Sequence, residues 1–153
     1  MSSEPQLRRA TTVDTPAVTD LVHSAYEKYV SRIGKPPGPM LQDYEQVLRQ
    51  HDVYVLEDGG TIVGLLVLEW HDGGLTLDNV AVHPDYQGRG LGRRLLELAE
   101  AEARRAGLSS ISLYTHELMT ENIALYGRIG YVETERREDD GYRRVFMRKD
   151  LTK

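Results

Sequence analysis

Residues Asn79–Gly92 read NVAVHPDYQGRGLG. A short β-branched run ends at Val82, His-Pro follows, and glycines occupy positions 88, 90 and 92 immediately before a helical pattern begins. Glycine allows the backbone to approach a ligand closely, and the first amides of a helix have no partner within the helix. Because the helix dipole also favours anions there, this stretch predicts a strand, a phosphate-binding loop and a helix in succession.

Two familiar phosphate loops do not fit this stretch. The dinucleotide fingerprint G-x-G-x-x-G requires glycine at position 93, which is Arg, and no Gly-Lys-Ser/Thr follows as a Walker loop would require. Taken alone, the three glycines are equally compatible with a tight strand-to-helix turn that binds nothing.

Periodicity and turn residues extend the assignment along the chain. The apolar residues from Leu91 to Ala103 recur at helical spacing and Gly107 stands at a C-cap position, which predicts a helix from Gly90 to Ala106. By the same criteria we expect helices over about 15–31, 41–50 and 121–129. We expect strands around Val53–Val55, Ile62–Leu68 and Leu75–Val82, and over about 111–115, 131–137 and 142–149.

With a strand before the first helix, the order becomes strand, two helices, three strands, helix, strand, helix and two strands. This order indicates a mixed α/β sheet in a single domain spanning residues 1–153. The segment Gly34–Pro39 (GKPPGP) is expected to form a flexible or protruding loop, because prolines and glycines disrupt regular elements.

Composition excludes several classes of protein. The net charge of -5 and pI near 5.5 argue against nucleic acid as a partner. The longest apolar run, Ile62–Leu68, is far shorter than the roughly 20 residues that span a bilayer, so we expect no membrane segment. The first residues include no apolar h-region, which favours a cytoplasmic location.

Cysteine and histidine usage narrows the chemistry. The chain has no Cys, which excludes a cysteine nucleophile, and its five His residues lack the spacing of metal ligands. We therefore expect no metal.

Two motifs carry a resemblance to a known family. Gln87-x-x-Gly90-x-Gly92, after a Val-Ala-Val strand, resembles the acyl-coenzyme A signature of the GCN5-related N-acetyltransferase (GNAT) family. Downstream, Asn122, Leu125, Tyr126 and Gly130 resemble that family's Asn...Leu-Tyr-x-x-x-Gly-Phe helix, with Tyr131 in place of the final Phe. The expected order of elements also fits the family over nearly the whole chain.

The resemblance implies acetyl-CoA as co-substrate and a sheet splayed between the strand ending at Val82 and the strand around Leu113. It implies that the pantetheine arm pairs along Val80, Ala81 and Val82, and that the diphosphate lies on the loop amides. The residues expected to bind the coenzyme are Val80, Ala81, Val82, Gln87, Gly88, Arg89, Gly90, Leu91, Gly92, Arg93 and Asn122. A solvated helix face remains an alternative for the arginines, and an N-cap role for Asn122.

The resemblance places Tyr126 at the family's general acid, which would protonate the departing thiolate. The base is open between Asp78, four residues before Val82 and on the same strand parity, and Glu69, near the end of the preceding strand. A surface carboxylate on a polar strand face is an equal alternative for either residue. Some family members carry a glutamate base where this chain has Tyr114, so that role does not transfer directly. His83 and His116 are further titratable residues expected near the cleft.

Substrate choice in this fold would come from the first two helices and their connecting loop, so Tyr26, Tyr29, Arg32 and the Gly34–Pro39 segment are candidate pocket walls. Packing in the core is an alternative for the two tyrosines. Glu69 is a further candidate substrate-binding residue. The expected acceptor is a primary amine of a small molecule or peptide. A noncatalytic acyl-CoA sensor and an interaction domain remain alternatives. A homodimer through the edge of the C-terminal hairpin is a further expectation.

Overall fold

The computed structural model describes residues 4–152. Its strands are β1 (Gln6–Arg9), β2 (Asp52–Asp58), β3 (Thr61–His71), β4 (Gly74–Val82), β5 (Ser110–His116), β6 (Val132–Asp139) and β7 (Tyr142–Asp150). Its α-helices are α1 (Thr15–Ile33), α2 (Tyr44–Gln50), α3 (Leu91–Arg105) and α4 (Thr120–Ile129). The predicted order of elements and the mixed α/β class are confirmed.

The second helix begins later than the sequence predicts. Residues Gly38–Leu41 form a 3-10 turn, and Asp43 then caps α2 by accepting hydrogen bonds from the amides of Glu45 and Gln46. The helix therefore starts at Tyr44 and not near residue 41, because the Asp43 side chain satisfies amides that would otherwise lack partners.

One sheet contains all the strands described, in the order β1-β2-β3-β4-β5-β7-β6. Every neighbouring pair is antiparallel except β4 and β5, which are parallel. These two strands pair at only two positions, Thr76 with Ser112 and Leu77 with Leu113. Beyond those positions they separate, which confirms the predicted splay.

A β-bulge in β4 coincides with the separation. Leu68 of β3 pairs with Leu77, whereas its neighbour Val67 pairs with Asn79, so Asp78 has no partner in the β3 register. A bulge bends its strand and increases the local twist. The bulge therefore accounts for the departure of β4 from β5, and simple strand alternation does not hold across Asp78.

Helices cover both faces of the sheet. On one face α3 buries the stripe that the sequence predicts, with Tyr126 of α4 in the same core. The buried residues of that stripe are Leu91, Leu95, Leu96, Ala99 and Ala103. On the other face α1 and α2 bury a second core that includes Val22, Tyr26 and Tyr44. The sheet is thus held between two helical layers, and the splay opens between them.

The segment Gly34–Pro39 is held by hydrogen bonds and does not protrude freely. The Tyr142 hydroxyl donates to the Pro36 carbonyl at 2.6 Å, and the Tyr44 hydroxyl donates to the Pro39 carbonyl at 2.6 Å. Lys35 Nζ also donates to the Gly141 carbonyl at 2.6 Å. These contacts join the loop to the β6–β7 hairpin and to α2.

The strand β6 forms one edge of the sheet and pairs only with β7 among the described strands. Its residues are largely exposed, and ion pairs such as Arg136 with Glu133 and Arg137 with Glu135 lie along it. Dimerisation through this edge stays a prediction.

We expect Leu95→Ala to lower the free energy of unfolding by about 2–5 kcal/mol, because Leu95 is fully buried between α3 and the sheet. Leu41→Ala is the control, since Leu41 is 66% exposed and its truncation should change stability by at most about 0.5 kcal/mol. Urea unfolding followed by circular dichroism measures both. Equal stabilities for the two variants would contradict this description of the core.

Candidate active site

A cavity of about 490 Å³ lies where β4 leaves β5, bounded by α1, the start of α3 and one side of α4. Among its lining residues are Val80, Ala81 and Val82 of β4, Gln87, Gly88, Gly90, Leu91, Gly92 and Arg93 of the glycine segment, and Tyr26, Tyr29, Leu125 and Arg128 of the helices. All the residues expected to bind the coenzyme except Arg89 thus gather around one cavity.

The glycine segment forms a cradle of unpaired amides. Gly88 and Gly90 adopt left-handed φ angles of 82° and 81°, and a Cβ at either position would meet nothing within 4 Å. The first backbone hydrogen bond of α3 runs from the Arg94 amide to the Gly90 carbonyl at 3.0 Å. In the described chain the amides of residues 88–93 have no backbone partner, so they remain free to bind an anion at the positive end of the helix.

Two side chains fix this cradle in place. Gln87 Nε2 donates to the Val82 carbonyl at 3.2 Å, which joins the loop to the end of β4. Arg89 packs over the Tyr86 ring at 4.6 Å and donates to the Asp85 carbonyl, and it lies outside the cavity lining. Arg93 does line the cavity and supplies positive charge beside the amides.

A second cavity, of about 80 Å³, lies on the other side of the splay beneath the segment Gly34–Pro39. Its polar lining comprises the tyrosines at positions 26, 44, 114, 126 and 142, together with Gln42, Asp78, Asn79, Thr115, His116, Asn122 and Arg144. Pro37, Gly38 and Pro39 form part of the wall.

The two cavities meet at four residues: Tyr26, Val80, Asn122 and Tyr126 line both. A molecule held along β4 in the larger cavity and a second molecule in the smaller one would therefore come together beside Tyr126. This junction makes the arrangement suitable for transferring a group between two substrates.

The Tyr126 side chain is only 6% exposed, and burial raises the pKa of its phenol well above the ordinary value. Within residues 4–152 its hydroxyl has no hydrogen-bond partner. Of the fully enclosed polar side-chain atoms described, the Tyr131 hydroxyl alone lacks a partner, so the Tyr126 hydroxyl retains access to the cavity. Tyr126 is thus a protonated, unengaged donor at the junction.

Asp78 is the carboxylate of the smaller cavity. Burial, and then the nearby charge of Glu69, raise the pKa of Asp78 above its ordinary value. The Tyr114 hydroxyl donates to Asp78 Oδ1 at 3.4 Å. Glu69 lines neither cavity, so of the two carboxylates Asp78 alone reaches the cavity space.

The two histidines near the cleft differ in position. His83 lines neither cavity, whereas His116 lines the smaller one. The Leu118 amide donates to His116 Nδ1 at 3.0 Å, and burial lowers the pKa of the ring. The neutral ring therefore carries its proton on Nε2 and presents a donor, which makes His116 unsuitable as a base in this state.

The family is decided by comparison with known sequences. A profile of the acetyltransferase (GNAT) family matches residues 16–131, which include the glycine segment, Asp78 and Tyr126. The chain belongs to this family. The match confirms the predicted family and the predicted enzyme class of acetyltransferase.

Individual relatives agree with the GNAT assignment. The IAA acetyltransferase of Azospirillum brasilense is 36% identical over 92 residues, which cover 58% of this chain and 60% of that protein. The ribosomal-protein-S18-alanine N-acetyltransferase from Escherichia coli has a TM-score of 0.77 at 24% identity, over 97% of this chain and 94% of that chain. At that identity the likeness confirms the fold.

A solved GNAT family acetyltransferase from Elizabethkingia anophelis has acetyl-CoA bound. It superposes with a TM-score of 0.71 at 20% identity, over 95% of this chain and 97% of that chain. The bound ligand of this fold relative is the co-substrate that the GNAT motifs predict for the larger cavity.

Several residues that form this site were not predicted from the sequence. Asn79 is 5% exposed; its Oδ1 accepts from the Tyr26 hydroxyl at 2.7 Å and its Nδ2 donates to the Tyr44 hydroxyl at 3.1 Å. Arg144 and Tyr142, on β7, close the smaller cavity. No local motif marks these residues, because they reach the site only through the pairing of distant strands and helices.

The structure shows where two further predicted site residues, Tyr29 and Asn122, lie relative to the cavities. Tyr29 lines only the larger cavity and lies away from the smaller one, to which its predicted substrate-binding role would belong. Met119 is the N-cap residue of α4, with no side-chain cap, and Asn122 Nδ2 lies 3.8 Å from Met119 Sδ. The N-cap alternative for Asn122 is therefore not realised, and its amide lines the junction.

Neither membrane nor metal features are found in the described part of the chain. No helix among residues 4–152 is long and apolar enough to cross a bilayer. No cluster of three or more His, Asp or Glu side chains in the same range could hold a metal ion.

We expect Glu69→Gln to lower the pKa of Asp78, because it removes the nearby negative charge that disfavours ionisation. The pKa should stay above its ordinary value, since burial makes the larger contribution. Carboxyl chemical shifts recorded by NMR across the acidic pH range measure the change. Glu45→Gln, at an exposed residue paired with Arg49, is the control and should leave Asp78 unaffected; an unchanged Asp78 in Glu69→Gln would contradict the electrostatic coupling.

Proposed function

We propose that this chain transfers the acetyl group of acetyl-CoA to a primary amine of a small molecule or peptide. The single observation that carries the proposal is the junction of the two cavities at Tyr126, with the amide cradle at one side and Asp78 at the other. A binding module that only senses acyl-CoA needs no second cavity lined by a carboxylate.

The larger cavity offers the donors that the diphosphate of the coenzyme needs. Acetyl-CoA supplies a thioester carbonyl that a neutral amine can attack. The free amides of residues 88–93 and the charge of Arg93 would hold the diphosphate. Val80, Ala81 and Val82 lie on the stretch of β4 that has left β5, so this edge would guide the pantetheine arm toward Tyr126.

The smaller cavity fits the acceptor. An alkyl amine with a pKa of about 10.4 is neutral in only about 1 molecule in 2,500 at pH 7, so a proton acceptor assists the reaction. We assign that role to Asp78, because its raised pKa lies closer to neutral pH than the pKa of an exposed carboxyl does. Tyr126, which is protonated at neutral pH, would donate a proton to the departing sulfur.

The size of the smaller cavity favours a small acceptor or the end of a peptide. At about 10–15 Å³ for each water-sized group, its volume of about 80 Å³ admits about five to eight such groups. A folded protein surface would have to insert a single chain end or side chain beneath Pro37–Pro39.

We expect Gly90→Glu to abolish acetyl-CoA binding, because the new side chain would place a carboxylate beside the cradle amides. Gly107→Glu is a matched control: Gly107 has a left-handed φ of 79° near Gly90's 81°, at the other end of the same helix and outside the cavity lining. In both variants the free energy of unfolding should fall by about 1–2 kcal/mol, because a residue with a Cβ is strained at a left-handed φ. Isothermal titration with acetyl-CoA distinguishes them, and undiminished binding by Gly90→Glu would contradict the placement of the diphosphate.

We expect Tyr126→Phe to lower kcat by about 10²–10⁴-fold, because it removes the proton donor while keeping the ring. Thiol release from acetyl-CoA in the presence of a panel of amines measures the rate. Tyr131→Phe is the control, because the Tyr131 hydroxyl is enclosed without a partner and lines neither cavity. Unchanged kcat in Tyr126→Phe would overturn the assigned acid, and binding without any thiol release would favour a noncatalytic acyl-CoA sensor.

A further inference from the structure

The smaller cavity is electrically asymmetric. Besides the neutral His116, its lining includes one carboxylate, Asp78, and one permanent cation, Arg144. Both contact the Tyr114 side chain: its hydroxyl donates to Asp78 at 3.4 Å, and the Arg144 guanidinium carbon lies over its ring, 4.5 Å from the ring centroid. The cavity therefore presents an acceptor at Asp78 and donors at Arg144, with Tyr114 in contact with both.

Arg144 has donors that nothing in the described chain uses. Its side chain is only 17% exposed, and Nη1 donates to Asp139 Oδ2 at 3.3 Å. No acceptor within residues 4–152 engages Nε or Nη2. Asp139 is 40% exposed and does not line the cavity, so its solvated carboxylate satisfies one donor from outside and leaves the others available.

Neighbouring groups make the Arg144 end a donor region. His116 is paired opposite Arg144 in the β5–β7 register, and its neutral ring presents an Nε2 proton without a described acceptor. Lys35 lies with Nζ 4.1 Å from the centroid of the Tyr142 ring, and the Arg144 guanidinium carbon lies 5.9 Å from the same centroid. Two cations thus flank this end, with Asp139 and Glu117 as nearby carboxylates outside the cavity lining.

We propose that the acceptor is a small amino-acid-like molecule, with its carboxylate bound by Arg144 and its amine directed toward Asp78. The planar guanidinium suits a carboxylate because it offers parallel N–H donors. The reverse orientation would place a carboxylate against Asp78, and a diamine would place a second ammonium against Arg144. This inference rests on the proposed acetyl transfer and adds the class of acceptor.

The inferred reaction is acetyl transfer from the thioester of acetyl-CoA to the amine of the acceptor. The amine nitrogen forms the new C–N bond, the thioester C–S bond breaks, and the products are an N-acetylamino acid and coenzyme A. The ammonium form of the acceptor loses two protons: Asp78 takes the first, which passes on to solvent, and the second leaves the nitrogen after the attack. Tyr126 supplies a proton to the sulfur, and the second proton from nitrogen restores its phenol. The acceptor's carboxylate takes no part in bond making and serves only to bind and orient.

The test compares matched acceptors with acetyl-CoA as donor. Each protein amino acid is assayed beside its carboxamide and the amine that lacks the carboxyl group, and thiol release gives kcat/KM. We expect the preferred amino acid to exceed both analogues by at least about tenfold, because the analogues leave charged donors of Arg144 unpaired. We expect Arg144→Gln to remove that preference, mainly by raising KM for the amino acid.

The preference is a ratio measured within one preparation, so partial unfolding of a variant does not alter it. Arg144→Lys is a second variant that keeps the charge and loses the planar fork; the preference should fall several-fold. Arg143→Gln is the matched control, because Arg143 is the adjacent residue, is 60% exposed, pairs with Glu117 and lies outside the cavity lining. It should leave the preference unchanged.

The outcomes separate this inference from the proposed function. If carboxamides or simple amines are acetylated as well as amino acids are, or if Arg144→Gln keeps the preference, the amino-acid inference is overturned and acetyl transfer stands. If no amine in the panel releases thiol while acetyl-CoA still binds, the proposed function fails and the inference fails with it.

Discussion

The separation of β4 from β5 is the constraint on which the site depends. The strands pair at two positions and then diverge at the bulge that contains Asp78. Backbone groups exposed by such a gap require partners, so an unpaired strand edge inside a fold provides a natural place for an extended ligand. Both cavities open from this gap, and they meet at residues that only the divergence brings together.

Burial shifts the pKa of the two central titratable groups in the same direction. It raises the pKa of Tyr126, which keeps the phenol protonated and able to donate. It also raises the pKa of Asp78, which makes the carboxylate a stronger base than an exposed one. Burial therefore leaves a protonated phenol at the junction and a more basic carboxylate in the smaller cavity.

The smaller cavity is lined by elements from both ends of the chain. The proline-rich segment is held over the cavity by hydrogen bonds from Tyr44 and Tyr142, residues of α2 and β7. The same hairpin supplies Arg144, which lines the cavity that the segment covers. The segment that covers the smaller cavity and the arginine that lines it are therefore joined through β7.

Local sequence determined the glycine cradle, the amphipathic stripe of α3 and the order of elements, because each depends on residues close together in the chain. The family motifs around Gln87 and Tyr126 are local for the same reason. Tertiary structure alone decided the bulge at Asp78, since it follows from the β3 pairing. It alone also brought Arg144 beside Tyr114, because contacts between side chains on paired strands depend on register, which neither segment encodes separately.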